Sequence, residues 1–245
     1  MNTISAYVPD ALATGFLDKL KLLDSLNLHC LETSQEELPL EQMPPEEVLP
    51  LRNLLYDTGC CIAMHRTRVS GLPPESLRRL LRNTHLMEIP SLLIDPEGCE
   101  EKEQDSFFRA ANSFNLGLLV ENRAGSALST ARDLETFLKR YQTYGVQIVF
   151  NPLEFVKLQQ HPFFHVYYNS RMKNHIRVLR INDGLYEDGR PMPPAQGNGE
   201  IKELISITKA RSFDGFFSLT PYLGTGTRDD LAQVAAWLRQ TLKGL

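Results

Sequence analysis

LGLLVENRAGSALSTARDLETFLKRYQTYGVQIVFNP, residues 116–152, holds one complete turn of the pattern that decides the fold. Leu116–Glu121 is a short apolar run of strand length that ends on an acid, and Val146–Phe150 is a second that ends just before Asn151. Between them, Thr130 and Asp133 have the spacing of a capping box with Asp in place of Glu, the start of a helix. Gly145 precedes the second run and suits a tight turn from helix into strand. Neither run alternates cleanly between apolar and polar, as expected of parallel strands covered on both faces. The stretch reads as one β-α-β unit.

The same unit recurs in both directions. Strand-like runs lie at Thr3–Val8, Leu28–Glu32, Cys60–His65, Ser91–Ile94, Leu116–Glu121, Val146–Phe150, Ile176–Ile181 and Gly215–Leu219, with centres stepping by about 25 to 38 residues. The intervening segments carry helix starts. Pro44-Pro45-Glu46-Glu47 and Pro73-Pro74-Glu75 put proline and acid in a first turn, and Thr227 with Asp230 repeats the capping-box spacing. In the last helix Leu231, Val234, Ala235, Leu238 and Leu242 form one apolar stripe. Eight such units either close into a barrel or spread into a large open sheet. No GxGxxG follows the first strand and no GxxxxGK[ST] occurs, which removes the best support for the nucleotide-binding open sheets. The expected fold is α/β, a (β/α)8 TIM barrel formed as one domain by residues 1–245.

Composition agrees. The chain has 245 residues, enough for one large core, with 42% hydrophobic and 23% charged. Net charge is −4 and the pI about 5.9, without a cluster of Lys and Arg interleaved with aromatics, so no nucleic-acid partner is expected. The Met1–Val8 start lacks the pattern of a signal peptide, and runs such as Leu116–Val120 are too short to cross a bilayer, so the expectation is a cytoplasmic protein without a membrane partner. Cys30, Cys60, Cys61 and Cys99 show no CxxC spacing and read as reduced thiols.

In a barrel, polar residues at the C-terminal ends of strands point into the mouth. Here these are Glu32, His65 with Arg66, Asp95, Glu121 with Asn122, Asn151, Arg180 with Asp183, and Thr220. After the seventh strand, Asp183–Gly199 is a long connection holding Pro191, Pro193, Pro194 and four glycines, expected to overhang the mouth.

Leu118-Leu119-Val120-Glu121-Asn122 resembles the fifth-strand segment of xylose-isomerase-like barrels. Val149-Phe150-Asn151-Pro152 resembles their sixth strand, and Val178 through Gly184 their seventh. Gln196 through Ile201 and Phe213-Asp214-Gly215 follow in the family's order. The chain is thereby similar to the sugar phosphate isomerase/epimerase family over roughly Leu116–Leu219, and only in architecture before that. The resemblance implies a small sugar or sugar phosphate as ligand and leaves a homo-oligomer open. It also implies a divalent ion (Mn, Mg, Co or Zn) on four side chains: Glu on strand five, Asp on six, His on seven, Glu on eight. Of these only Glu121 is retained. Asn151 stands at the Asp position, Arg180 at the His position, Leu219 or Thr220 at the final Glu, and Glu154 where the family often has a substrate-contacting His.

A divalent ion wants anionic oxygens and neutral imidazole; Asn is a weak ligand and Arg is none. No metal ligand set is therefore expected, with Arg180 paired to Glu121 instead. A relocated set of Glu32, His65, Glu121 and Glu154 stays open. The leading expectation is an isomerase or epimerase moving a proton next to a carbonyl, with Glu121, Glu32 and Glu154 as catalytic carboxylates and His65, Arg66, Asn151, Arg180 and Asp183 binding substrate. The alternative is a non-catalytic or repurposed barrel that binds a carbohydrate or anion. A multi-zinc nuclease of the endonuclease IV type needs more ligands than six histidines supply.

Overall fold

The computed structural model describes residues 3–222 and 227–244. Its parallel strands are β1 (Thr3–Tyr7), β2 (Cys30–Ser34), β3 (Cys61–Arg68), β4 (Ser91–Asp95), β5 (Gly117–Glu121), β6 (Gln147–Phe150), β7 (Ile176–Arg180) and β8 (Phe216–Leu219). They pair in sequence order, and β8 returns to β1 to close the barrel. The helices are α1 (Phe16–Ser25), α2 (Pro45–Thr58), α3 (Pro74–Leu86), α4 (Glu101–Ser113), α5 (Ala131–Arg140), the short α6 (Pro152–Val156), α7 (Ile201–Ala210) and α8 (Arg228–Gly244). A π-helical turn at Pro162–Tyr167 follows α6. The expected (β/α)8 architecture is the observed one.

Two strands end later than their apolar runs suggest. β2 runs on to Ser34 and β3 to Arg68, because Thr33, Ser34 and Arg66 still pair across the β2–β3 ladder although their side chains are polar. Apolarity reports what a strand buries, while backbone pairing sets where it stops.

Two layers of side chains hold the barrel. Met64, Leu93, Leu119, Val149 and Val178 fill its interior and form the floor of the mouth. Their sequence neighbours Leu92, Leu118, Val120, Ile148 and Leu179 point outward and join the helix faces, with Leu80, Phe108, Leu134 and Leu204 among them. Alternate residues of one strand thus serve both layers, each fully buried Leu or Val stabilising the fold by roughly 1.5–3 kcal/mol. Helix starts behave as their sequences predict. Thr130 Oγ1 accepts from the Asp133 N–H at 3.2 Å, and Asp133 accepts from the Thr130 N–H at 3.0 Å. Thr227 and Asp230 form the same reciprocal pair ahead of α8, whose stripe residues Leu231, Val234, Ala235 and Leu238 are buried. No helix among the described residues is long and apolar enough to cross a membrane.

The Asp183–Gly199 segment departs from expectation. It leaves β7 on the C-terminal side of the barrel, and Asp183–Gly184 then pairs antiparallel with Pro191–Met192. It packs sideways against α6 and the residues after it: Gly184 lies against Leu153, Gly189 against Lys157, and Tyr186 Oη donates to the Gln160 carbonyl at 3.3 Å. None of residues 183–199 lines the axial cavity, so the segment does not roof it.

Candidate functional site

Counting inward positions from the interior layer toward the C-terminal ends leads to Glu32 on β2, Arg66 on β3, Glu121 on β5, Asn151 after β6, Arg180 on β7 and Ser218 on β8. They meet around the barrel axis. Arg180 is the centre. Its Nε donates to Glu121 Oε1 at 2.9 Å, while its Nη1 donates to Glu32 Oε2 and to Ser218 Oγ, the latter at 2.6 Å. Ser5 on β1 donates to the other Glu32 oxygen at 2.7 Å. Arg66 Nη2 donates to Glu121 Oε2, and Asn151 Nδ2 donates to Glu121 Oε1 at 3.1 Å. The side chains of Arg180 and Glu32 are 6% and 4% exposed, whereas that of Arg66 is 42% exposed, so Arg180 is a buried charge and Arg66 a half-exposed one.

The register explains why these groups converge. Ser5 is level with Ser218, and Ser218 with Arg180. Two small hydroxyl side chains therefore leave room beside Arg180, Ser218 accepting from its guanidinium and Ser5 donating to Glu32. Ser5, Ser218 and Tyr7 were not expected at the site. Apart from size and alternation they carry no distinguishing signal in the sequence.

Electrostatics follow from this packing. Burial alone would raise the Glu121 pKa, but the charges of Arg180 and then Arg66 outweigh it and hold the carboxyl at about 2. Burial works against the Arg180 charge too, yet Glu121 and Glu32 drive its pKa above the ordinary arginine value. The inner group is two carboxylates and two guanidiniums, neutral as a set.

Above it, the mouth opens into a cavity of about 510 Å³ bounded by Tyr7, Ser34, Arg66, Asn182 and Thr220 as well as the charged group. A smaller lobe of about 190 Å³ lies toward β4–β6 and shares Arg66, Glu121 and Asn151 with it. Glu154, in the first turn of α6, faces this second lobe, where it accepts from the Ala124 N–H at 2.9 Å and from Lys157 Nζ at 2.6 Å.

Of the expected site residues, Glu32, Glu121, Asn151, Arg66 and Arg180 come together, and Glu154 lies at the second lobe. Two do not join them. His65 was expected beside Arg66, but neighbouring residues of a strand face opposite ways, and Arg66 is the one that points inward. His65 points into the strand–helix layer, fully buried, with Nδ1 2.9 Å from Thr33 Oγ1. Burial there, opposed only by Glu36, lowers its pKa to about 4 and keeps it neutral. Asp183 was expected to contact substrate. Instead its buried carboxylate accepts from the backbone N–H groups of Gly184, Gly197 and Gly199 at 2.8, 3.0 and 2.7 Å and organises its own loop. The eighth-strand alignment also shifts. Leu219 faces outward into the core and Thr220 lies at the rim bonded to Asn182, so the axial position belongs to Ser218.

This donor set does not fit the divalent ion of the resemblance. The His and Asp positions hold a guanidinium and an amide, the fourth holds a hydroxyl, and the Arg180 cation lies between Glu32 and Glu121. Neither Arg nor Lys ligates a metal, and a permanent positive charge repels one. The relocated set fails as well, because His65 is on the far side of the sheet. Among the described residues no three His, Cys, Asp or Glu side chains converge as a metal site.

No protein-family model matches the sequence, and no curated protein matches it. Solved structures do match the fold. A xylose isomerase domain protein from Planctomyces limnophilus superposes with a TM-score of 0.77 at 12% identity, covering 99% of this chain and 97% of that one. A xylose isomerase-like TIM barrel protein from Mycobacterium smegmatis, solved in complex with magnesium, gives 0.74 at 16% identity over 100% and 97%. D-psicose 3-epimerase with D-tagatose from Clostridium cellulolyticum H10 gives 0.70 at 12% identity over 98% of both chains. The chain therefore shares the closed (β/α)8 fold of these solved barrels.

Proposed function

We propose that the mouth binds a small sugar or sugar phosphate and that this barrel is repurposed for carbohydrate binding without the divalent ion. One observation carries the reading: a single buried guanidinium, Arg180, is clamped between Glu32 and Glu121. Those carboxylates keep lone pairs for ligand hydroxyls, and Arg66, Asn182 and Thr220 supply polar groups around the cavity. The epimerase solved with D-tagatose supports a sugar as the ligand class. A carboxylate held at about 2 is a weak base, which argues against proton abstraction from carbon in the resting arrangement.

A second reading, proton transfer beside a carbonyl, is favoured by a different feature. Two carboxylates flank one electrophilic cation, the arrangement of two proton carriers about a polarised carbonyl oxygen. It requires Glu121 to regain basicity, and a ligand oxygen that draws the half-exposed Arg66 away removes one of the two charges that hold its pKa down, Arg180 being the larger.

The test combines calorimetric titration with NMR in D2O, using a panel of neutral sugars and sugar phosphates and a chelator throughout. Binding without deuterium uptake at the carbon next to the carbonyl supports the first reading. Deuterium uptake that Glu121→Gln abolishes establishes the second. Absence of binding across the panel overturns both.

A further inference from the structure

At the opposite end of the barrel from the mouth, β2 and β3 begin side by side on Cys30 and Cys61, which are in-register partners. The Cys61 N–H donates to the His29 carbonyl at 2.7 Å, so the ladder is already formed where the two thiols sit. In-register residues of parallel strands project to the same face, with their Cα atoms about 4.8 Å apart. That separation lies inside the roughly 4.4–6.8 Å range that a disulfide spans. Cys30 is buried and Cys61 exposed, so one thiol is sheltered and the other open to solvent.

We propose that Cys30 and Cys61 are a reversible thiol–disulfide pair, a modification site closed by hydroperoxides. Cys61 is the attacking thiol. Its thiolate sulfur takes the distal peroxide oxygen, the O–O bond breaks, and the leaving alkoxide or hydroxide takes up a proton. Cys61 is then a sulfenic acid. The Cys30 sulfur displaces that hydroxyl, which leaves as water, and the S–S bond forms. Two thiols and one peroxide thus give one disulfide, one alcohol or water, and one further water.

Each thiol is the largest influence on the other, Cys61 pushing the Cys30 value up and Cys30 pushing the Cys61 value down. This is the polarity that the attack requires. The other cysteines are placed differently. Cys60 is next in sequence to Cys61, so it faces the other side of the sheet, and its sulfur points at the Thr58 carbonyl. Cys99 lies in the loop before α4, where burial and then the neighbouring Glu103 raise its thiol to about 11.

The experiment treats the reduced, full-length protein with hydrogen peroxide and titrates thiols in denaturant. The titre is expected to fall from four to two, with a mass loss of two hydrogen atoms, and to return to four with dithiothreitol. Cys60→Ser should fall from three to one, and Cys61→Ser, altered at an exposed position, should keep all three. Cys30→Ser should form no intramolecular disulfide and should trap dimedone on Cys61. A titre that stays at four, a bond mapped to Cys60 or Cys99, or disulfide-linked dimers on a non-reducing gel would each overturn the assignment.

Discussion

Arg180 and its partners set what single substitutions should do. Arg180→Ala leaves Glu32 buried without its counter-charge and Glu121 with Arg66 alone, and a loss on the order of 3–5 kcal/mol is expected in urea unfolding. If burial of the unpaired acids is the cause, adding Glu32→Gln and Glu121→Gln to Arg180→Ala should recover much of that loss. No recovery would mean that packing around the guanidinium is what matters. Acid stability should fall in two windows. His65 has a folded value near 4 against an ordinary 6.5, so its contribution is complete above 6.5 and lost as pH falls through 4. Glu121 lies near 2 against 4.5, so its contribution is complete above 4.5 and lost as pH falls toward 2. Unfolding free energy measured from pH 7 to pH 2 should lose the lower window in Glu121→Gln and keep the upper one. An unchanged profile in that variant would show that Glu121 is not the group responsible.

At the scale of elements, the Asp183 side chain ties the two ends of the 183–199 segment together. Asp183 accepts three backbone N–H groups. Gly197 and Gly199 pass so close that an added Cβ would stand 2.5 and 2.7 Å from its Oδ1. Asp183→Ala should cost about 1–3 kcal/mol for each N–H left buried and unpaired. Limited proteolysis should then cut first within this segment, and a cleavage pattern like that of the parent chain would refute the clamp. The length and Pro/Gly content of the segment were plain in the sequence, but the direction in which it folds was not. Direction depended on Leu153, Lys157 and Gln160 offering a surface to one side. The capping boxes at Thr130 and Thr227, by contrast, involve residues three apart and could be read without knowing what lies beyond the helix.

For the whole molecule, replacing a bound ion by an internal guanidinium should make stability indifferent to metal. Chelator should leave the thermal midpoint and any sugar affinity unchanged, and added Mn2+ or Mg2+ should raise neither; a rise of several degrees with metal would contradict the donor-set argument. Arg180→His with Asn151→Asp should gain only weak Mn2+ binding by calorimetry. Adding Ser218→Glu, on the strand position that faces the axis, should be needed for tight binding. The sequence by itself determined the eight β-α units and their order, because these rest on local periodicity, and the resemblance along strands five to seven pointed to Glu121, Asn151 and Arg180. Only the tertiary structure decided which of two adjacent strand residues faces the axis, excluding His65 in favour of Arg66 and Leu219 in favour of Ser218. It also brought Glu32, 148 residues away in sequence, onto the same guanidinium. Strand alternation fixes that neighbours face opposite ways but not which one faces inward. The choice is made when the sheet curls shut and every strand's register is set by the two beside it.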